Sequence, residues 1–374
     1  MRILFTFVGG NGHLEPLVPV ARAAEAAGHV VAFAGQPSML PMVQAAGFTG
    51  FATGADLGTP ERLPLLELDA EREDRELRDG FASRIARDRA TALLALCAGW
   101  RPDLVVCDEV DFGAMIAAER LGLPYASVLV IAAGSFVRTA LIAEPLNEVR
   151  AEHGLPPDPE LAMLSRHLVL SPFPSGFRDP AFPLPATAHP LRPLVPAARS
   201  STVPTVYFTL GTIFNMESGD LFTRVLAGLR ELPTDLVVTV GRHIDPAEFG
   251  PQPANVRIER YLPQSSVLPN CDLVVSHGGS GSVIGALAHG LPSVLIPMGA
   301  DQPHNAARCA DLGVSRVLDA VRATPEAVRD AASAVLADPA YRRAAERLRD
   351  EIATMPGPAS AVTLLEGLAA DRRP

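Results

Sequence analysis

The feature of this sequence that most constrains its fold is an alternation of short apolar runs with longer, alanine-rich segments, which occurs twice along the chain. In the first half, runs with strand character lie at 3–8, 30–34, 104–107 and 125–130, and segments with helical periodicity lie between them. A second series occupies residues 206–318. Strands that alternate with helices are typical of βαβ units around a parallel sheet. The sequence therefore predicts an α/β protein with two doubly wound parallel-sheet domains.

A proline-rich stretch separates the two series. Proline fixes φ and has no amide hydrogen, so at this density it cannot continue a helix or a central strand. We predict a first domain over 1–185, a linker over 186–203, a second domain over 204–355 and a C-terminal helix over 356–374 that can pack back on the first domain. Ligands of doubly wound domains bind at the carboxyl ends of the strands, so we expect a site in the cleft between the two domains.

The charge and residue usage exclude several classes of function. The 32 basic and 42 acidic side chains give a net charge of -10, which argues against nucleic-acid binding because that requires basic groups to neutralise phosphates. Every basic residue is arginine, so Schiff-base enzymes and Walker A kinases, which need a lysine, are excluded. No D-x-D triplet occurs and the four cysteines have no metal-ligand spacing, so we expect neither a metal ion nor a cofactor.

Two further patterns describe how the chain meets its surroundings. No apolar run reaches the roughly 18 residues of a membrane span, and the N-terminus has no secretory core, so we expect a cytoplasmic protein. The segment 69–89 mixes both charge signs at short spacing, which predicts a solvated helix face.

The strongest chemical pattern is a glycine-rich turn between a buried strand and a helix. The apolar strand at 273–276 runs into the sequence HGGSGS, residues 277–282, and then into an apolar helix. Glycines let the backbone approach a ligand, and the free amides at the start of the helix attract an anion. On its own, the same pattern also fits a turn that only packs tightly.

The residues on either side extend this pattern. The sequence YLPQ, 261–264, precedes the turn, and DQ, 301–302, follows the next strand with Asn305 after it. In this combination the chain resembles the nucleotide-sugar-dependent glycosyltransferases of family 1, and most closely the actinobacterial enzymes that glycosylate macrolides, polyketides and other natural products. The resemblance covers essentially the whole chain and implies two Rossmann-like domains that face each other across a cleft, the arrangement called GT-B.

The resemblance implies roles for the residues of a donor site. Tyr261 would stack on the nucleobase, the loop 277–282 would hold the diphosphate, and Asp301 would bond sugar hydroxyls. Many relatives have an acidic ribose-binding residue where this chain has Gly285, so the choice between uridine and thymidine diphosphate stays open. The donor-binding residues implied in this way are Thr209, Gly211, Thr212, Tyr261, Leu262, Gln264, His277, Gly278, Gly279, Gly281, Ser282, Asp301 and Gln302.

A second glycine-rich turn, FVGGNGHLEP at 7–16, follows the first strand and carries the candidate catalytic base, His13. A histidine suits removal of a hydroxyl proton because its ordinary pKa of about 6.5 lies near neutral pH. The imidazolium formed needs a carboxylate that orients the ring, and the resemblance assigns this catalytic role to Asp108. Glu109 and Asp111 lie close in sequence and stay open as partners. Without the resemblance, His13 also fits a helix-start residue bonded to backbone.

The resemblance implies an inverting, metal-independent glycosyltransferase. It would move a sugar from a UDP- or dTDP-sugar to a hydroxyl of a small hydrophobic natural product. We expect the nucleotide sugar and the acceptor as its partners, and the protein as a monomer or a homodimer. The acceptor-binding candidates in the first domain are Asn11, Met115, Phe136 and Leu141.

Two other interpretations use the same residues. A catalytically silent homologue would bind nucleotide sugar as an auxiliary partner, but the chain retains both candidate catalytic residues and the polar donor residues. A nicotinamide oxidoreductase shares the opening strand and glycine turn. Its G-x-G-x-x-G pattern is absent here, because Glu15 stands in the third glycine's place.

Overall fold

The computed structural model describes residues 1–55, 61–194 and 203–370, which contain two β-sheets whose paired strands all run parallel. The first sheet has the order β3-β2-β1-β4-β5-β6-β7, and its strands are β1 (Arg2–Thr6), β2 (Val30–Gly35), β3 (Thr49–Ala52), β4 (Leu104–Asp108), β5 (Tyr125–Val128), β6 (Leu168–Ser171) and β7 (Ala188–Pro190). The second has the order β10-β9-β8-β11-β12-β13, and its strands are β8 (Thr205–Thr209), β9 (Asp235–Thr239), β10 (Val256–Glu259), β11 (Leu273–Ser276), β12 (Ser293–Leu295) and β13 (Ser315–Val317). The prediction of two doubly wound α/β domains is confirmed.

Helices connect the strands of both sheets. Those that follow strands of the first sheet are α1 (Asn11–Leu14), α2 (Val18–Ala26), α3 (Leu40–Ala45), α4 (Ala70–Arg75), a π-helix (Glu76–Ile85), α5 (Ala86–Trp100), α6 (Phe112–Leu121) and α7 (Thr139–Glu152). The remainder are α8 (Leu221–Leu229), α9 (Gln264–Val267), α10 (Ser280–Ala288), α11 (Gln302–Asp311), α12 (Pro325–Ala337), α13 (Pro339–Thr354) and α14 (Pro358–Ala370). Short 3-10 turns lie at Pro37–Met39, Ala162–Leu164, Ser175–Phe177, Phe214–Glu217, Pro246–Phe249 and Leu268–Asn270.

Proline sets the start of the helix after the first turn. The apolar period from Leu14 to Gly28 predicts one helix that Pro19 kinks or delays, and in the structure α1 ends at Leu14 and α2 begins at Val18 with Pro19 in its first turn. An amide in the first turn has no partner within the helix, so proline is accommodated there. The break places His13 on a separate short helix directly above β1.

Each sheet reverses its strand order between its two central strands. In the first sheet β1 pairs with β4, with Thr6 opposite Cys107, and in the second β8 pairs with β11, with Thr209 opposite Ser276. Ligands of doubly wound sheets bind at this reversal, beyond the carboxyl ends of the strands. Asp108 is the last residue of β4, and the loops that follow β1 and β11 lead to His13 and to the glycine-rich turn at 277–282.

The first sheet extends further along the chain than the predicted boundary at residue 185. Part of the predicted linker, Ala188–Pro190, forms the edge strand β7 beside β6, and a proline is tolerated there because an edge strand leaves amide positions unpaired. The rest of that linker includes 195–202, which lies outside the described residues, as do 371–374 at the end of the predicted C-terminal helix. Helix α14 packs against α2, and Ala361, Val362 and Leu365 belong to the buried cluster beneath β1.

Buried clusters cover the faces of the two sheets, and another cluster joins the domains. In this joining cluster Phe173 and Phe177 of the first domain pack with Val283 and Leu287 of α10. Within the described residues, no helix has the length and apolar character that crossing a membrane requires.

The prediction of a solvated face for 69–89 is wrong for two of its charged side chains. Arg89 is buried and pairs with Asp111 at 2.6 Å, and it also donates to the carbonyl oxygens of Ala34 and Thr53. Glu73 crosses to the second domain, where it accepts the Ala300 amide. Such long-range partners compensate the desolvation of a charge and are invisible in the local charge pattern.

Candidate active site

The turn after β1 and the end of β4 bring His13 and Asp108 together. The Nδ1 atom of His13 lies 3.5 Å from Oδ2 of Asp108, and the His13 side chain is 22% exposed. This separation is at the long end for a hydrogen bond, and such contacts often shorten only when substrate is bound. The residue pair singled out in the sequence therefore meets at the reversal point of the first sheet.

Backbone amides fix the Asp108 carboxylate. Oδ2 accepts the Val8 amide at 2.7 Å, while Oδ1 accepts the amides of Val110 and Asp111 at 2.7 and 3.0 Å. The carboxylate is fully buried, and these donors replace the water that it loses. Asp108 is thus held in one orientation beneath the His13 ring.

The two alternative carboxylates have other partners. Asp111 forms the buried pair with Arg89, and its Oδ1 accepts the Ala114 amide at the start of α6. Glu109 accepts the amides of Val130 and Ile131, both at 3.0 Å. Of the three neighbouring acids, the geometry favours Asp108 as the partner of His13.

Opposing effects act on the pKa of His13. Burial favours the neutral ring and would lower the pKa, but Asp108 raises it through its charge and its hydrogen bond, and the charges of Asp301 and Glu109 add to this. The net result is a raised pKa. Burial also raises the pKa of Glu109 and of Asp301, although hydrogen bonds oppose that change in both.

Gly9 provides the space that the His13 ring occupies. Its φ is +85°, and a Cβ at this position would lie 3.0 Å from Cδ2 and 3.3 Å from Nε2 of His13. An alanine there would be strained and would press on the ring. Gly10 lies against Ile213 and Thr212 of the second domain, so this turn also contacts the loop after β8.

His277, after β11, lies in a different environment. Its side chain is buried, and a Cβ on Gly211 or on Gly279 would come within 2.6 or 2.5 Å of its Nε2 atom. The ring is therefore enclosed by two glycine backbones. Burial lowers its pKa to about 4, so this histidine is neutral near pH 7.

The glycine-rich sequence at 277–282 leads into the start of α10, as the sequence predicted. Gly279 is the N-cap of α10, and the first amides of the helix have no partner within it. The Ser282 hydroxyl accepts the Gln264 amide group at 3.0 Å, and the Thr209 hydroxyl accepts the Gly211 amide at 3.2 Å. The structure thus brings these donor candidates, together with Gly278, Gly281 and Thr212, to one edge of the second sheet.

Asp301 and Gln302 adjoin this loop, and their side chains have partners within the protein. Oδ2 of Asp301 accepts the Ser280 hydroxyl at 2.5 Å and the Asn305 amide group at 2.7 Å. Oε1 of Gln302 accepts the Met298 amide at 2.8 Å, which leaves its amide nitrogen for other partners.

Ser280 and Asn305 have a structural role that the sequence did not indicate. The Ser280 hydroxyl accepts the Ala132 amide at 2.8 Å, and Oδ1 of Asn305 accepts the Ala133 amide at 3.1 Å. These contacts join the 277–282 loop and α11 of the second domain to the backbone that follows β5 in the first domain. Asn305 belongs to the sequence motif that follows the glycine-rich turn, but no local pattern in the sequence predicts its hydrogen bond with the Ala133 amide.

Tyr261 lies at the edge of a cavity of about 640 Å³ in the second domain. The guanidinium carbon of Arg242 lies 4.2 Å from the centre of the Tyr261 ring, a cation–π contact that sequence reasoning missed. Arg242 follows β9 and also lines this cavity, together with Arg260. Leu262 packs against a buried cluster of the second domain.

The acceptor-binding candidates occupy unlike positions. Met115 is 1% exposed and belongs to the core of the first domain, which does not fit its predicted role as an acceptor-binding residue; its side chain packs against other buried apolar residues. Phe136 and Leu141 are only partly buried, and the Phe136 ring meets the His304 ring edge to face at 6.4 Å. Asn11 is buried at the start of α1. In the described parts of the chain, no group of three or more His, Cys, Asp or Glu side chains could hold a metal ion.

Two family models match most of the chain. The model described as "Erythromycin biosynthesis protein CIII-like, N-terminal domain" matches residues 22–178, and the corresponding C-terminal domain model matches residues 223–368.

Individual proteins match over nearly their whole length. The L-demethylnoviosyl transferase of Streptomyces niveus is 31% identical, with 100% of this chain and 99% of the relative covered. The tylactone mycaminosyltransferase of Streptomyces fradiae is 29% identical, with 100% and 93% covered. Among solved structures, the spinosyn rhamnosyltransferase SpnG complexed with thymidine diphosphate has a TM-score of 0.80 at 26% identity, covering 98% of this chain and 100% of its own.

Proposed function

The chain belongs to the erythromycin biosynthesis protein CIII-like family and is a glycosyltransferase, and we propose that it transfers a sugar from a nucleoside diphosphate to a hydroxyl of a small hydrophobic natural product with inversion. One observation carries the proposal. The His13–Asp108 pair lies at the reversal point of the first sheet, close enough to Asp301 of the donor loop for that charge to affect its pKa.

The proposed first step is removal of the acceptor proton. Neutral His13 takes the proton from the acceptor hydroxyl, and Asp108 stabilises the imidazolium that forms. Two neighbours orient the ring for proton removal: the backbone of Gly9, and the Asp108 carboxylate, which is itself held by hydrogen bonds from backbone amides. Asp301 supplies a second negative charge near the ring, which further stabilises its protonated form.

The proposed second step forms and breaks bonds at the anomeric carbon. The acceptor oxygen attacks from one face, and the bond to the diphosphate oxygen breaks on the opposite face with its electron pair leaving on the diphosphate. Attack opposite to the leaving group inverts the anomeric configuration. The unpaired amides at the start of α10 stabilise the departing charge without a metal ion.

The donor is proposed to be a thymidine diphosphate sugar, with the uridine compound as the alternative. Two similar structures, SpnG and the glycosyltransferase VinC, the latter with a TM-score of 0.77 at 26% identity, contain thymidine diphosphate. Tyr261 is half-buried beside an open cavity, and we propose that the base stacks on the ring face opposite Arg242 or in place of the Arg242 guanidinium. Asp301 and Gln302 are proposed to bond sugar hydroxyls in exchange for some of their present partners.

The test measures free nucleoside diphosphate from dTDP-glucose and UDP-glucose with a panel of phenolic and polyketide acceptors. We expect wild-type protein to release diphosphate only with an acceptor present, unchanged by EDTA, and to give a product of inverted anomeric configuration. A wild-type rate no faster than that of His13→Ala would instead support the catalytically silent homologue. Binding of NADH without binding of either diphosphate would support the oxidoreductase.

A further inference from the structure

We propose that Glu73, on α4 of the first domain, is a positioning residue for the donor sugar. It holds the Gly299–Ala300 peptide and thereby places Asp301 and Gln302 in the site. This inference rests on the proposed function, in which Asp301 and Gln302 bond the hydroxyls of the donor sugar. Glu73 lies in the segment whose charge pattern predicted only a solvated surface.

The loop that carries Asp301 contains an unfavourable backbone conformation. Ala300 has φ +52°, a left-handed conformation that residues with a Cβ rarely adopt. Within the described residues, the other non-glycine examples are Arg101 and Leu161, which flank helix ends. Ala300 directly precedes Asp301, so its conformation sets the direction in which the sugar-binding pair enters α11.

The Glu73 carboxylate contacts this peptide directly. Its Oε2 atom accepts the Ala300 amide at 2.9 Å, and its Oε1 atom pairs with Arg72 at 2.9 Å. The side chain is only 18% exposed. A Cβ on Gly299 would lie 3.0 Å from Oε1, which shows how closely the carboxylate covers the loop. A charged acceptor of this kind forms a strong hydrogen bond with a backbone amide.

Helix α4 presents Glu73 in a defined orientation. The Asp69 side chain accepts the amides of Glu71 and Arg72 at 3.0 and 3.1 Å, which fixes the start of the helix. At the next position after Glu73, Asp74 pairs with Arg138 of the first domain. The carboxylate therefore reaches across the cleft from a helix that is itself anchored.

This arrangement predicts a selective defect. Without Glu73, Ala300 is free to leave the left-handed region, and Asp301 and Gln302 lose their shared placement. Among the residues that the structure describes, Glu73 makes no hydrogen bond to those proposed to hold the base and the diphosphate. The 277–282 loop meets Asp301 through the Ser280 hydroxyl, but Ser280 is also held by the Ala132 amide and by Asn305, so its placement does not rest on Asp301 alone. Loss of Glu73 should weaken recognition of the sugar and spare recognition of the nucleoside diphosphate.

The experiment compares Glu73→Ala and Glu73→Gln with Glu71→Ala in the full chain. Glu71 lies on the same helix, is 91% exposed and contacts only Arg75 at 3.8 Å among charged partners in the described chain, so it is the matched control. We expect Glu73→Ala to raise KM for the nucleotide sugar about tenfold, equivalent to about 1.4 kcal/mol, while Kd for dTDP changes less than about twofold. Glu73→Gln should show a smaller rise, because its amide oxygen can still accept the Ala300 amide.

A second arm measures the loop without any turnover. Hydrogen–deuterium exchange of the peptide spanning Ala300 should accelerate in Glu73→Ala and stay unchanged in Glu71→Ala. In an Ala300→Gly background, where left-handed φ is unstrained, the KM effect of Glu73→Ala should shrink.

Unchanged exchange at Ala300, or equal weakening of nucleotide sugar and dTDP, would overturn the role of Glu73. If wild-type protein transferred no sugar and bound no dTDP, the proposed function would fail separately. The exchange comparison would still decide whether Glu73 holds the loop.

Discussion

Each of the two sheets has a histidine at its reversal point, and the two histidines differ in what the neighbouring strand supplies. His13 follows β1, and the adjacent strand β4 ends in Asp108. His277 follows β11, and beyond the adjacent strand β8 lies Gly211, whose backbone touches the ring. The carboxylate raises the pKa of His13, whereas burial lowers the pKa of His277 to about 4.

Under the proposed function, this difference lets one topology serve two chemical tasks. A histidine with a buried carboxylate partner can exchange a proton near neutral pH, as a base must. The neutral His277 ring packs closely against glycine backbones and can contribute hydrogen bonds but no charge. Such a side chain fits the role of a hydrogen-bonding group in an anion site. Two kinds of experiment test this contrast. One removes the carboxylate beside His13, and the other measures how the protonation of each histidine depends on pH.

The largest effect is expected from Asp108→Asn, which makes the His13 site resemble the His277 site. Loss of the charge leaves the imidazolium unstabilised, so kcat for transfer should fall by about 10²- to 10⁴-fold. Stopped assays of diphosphate release at saturating donor and acceptor measure this, on protein confirmed as folded by circular dichroism.

The control is Glu109→Gln, which also disturbs a buried carboxylate that accepts two amides. It leaves the nearer partner of His13 in place, so its kcat should stay within about tenfold of wild type. A loss as large as that of Asp108→Asn would mean that the two acids share the role.

A smaller effect is expected in the acid stability of the second domain. The pKa of His277 falls from 6.5 unfolded to about 4 folded, so only the unfolded chain gains this proton between those values. Stability should therefore decrease as pH falls through this window, by up to about 3 kcal/mol from this group.

Urea unfolding at pH 7 and pH 4 tests this on wild type, His277→Asn and His189→Asn. His189 is exposed on the edge strand β7 and serves as the control. The drop in unfolding free energy should be smaller in His277→Asn alone. Equal drops in all three proteins would contradict the assignment.

The smallest effect is a displacement of the pH profile. The base must be neutral to act, and the pKa of His13 is raised, so the acid limb of kcat/KM should lie above pH 6.5 in wild type. In Asp108→Asn burial remains and the carboxylate is gone, so the limb should move to lower pH at a reduced plateau. A limb at the same pH in both proteins would show that another group controls it.

Sequence reasoning reached the residues whose positions follow from topology alone. His13, Asp108 and the 277–282 loop follow the ends of central strands, and parallel pairing brings such ends together whatever the rest of the chain does. The burial of Met115 could not be predicted, because the apolar period of α6 does not show that α5 packs against this face of the helix.

Contacts between segments that are distant along the chain could not be predicted from local sequence patterns. Glu73 and Arg89 each find a partner far along the chain, and a charge run looks the same whether or not such partners exist. The roles of Ser280 and Asn305 depend on the backbone of the opposite domain, which no local pattern encodes.

The His13→Ala variant tests whether proton transfer takes place at the first reversal point and nucleotide binding at the second. The measurement pairs its Kd for dTDP, by titration calorimetry, with its single-turnover rate of sugar transfer. We expect a Kd within about twofold of wild type and a rate lower by about 10²- to 10⁴-fold. A rate near that of wild type, or a loss of dTDP binding that matches the loss of rate, would contradict this expectation.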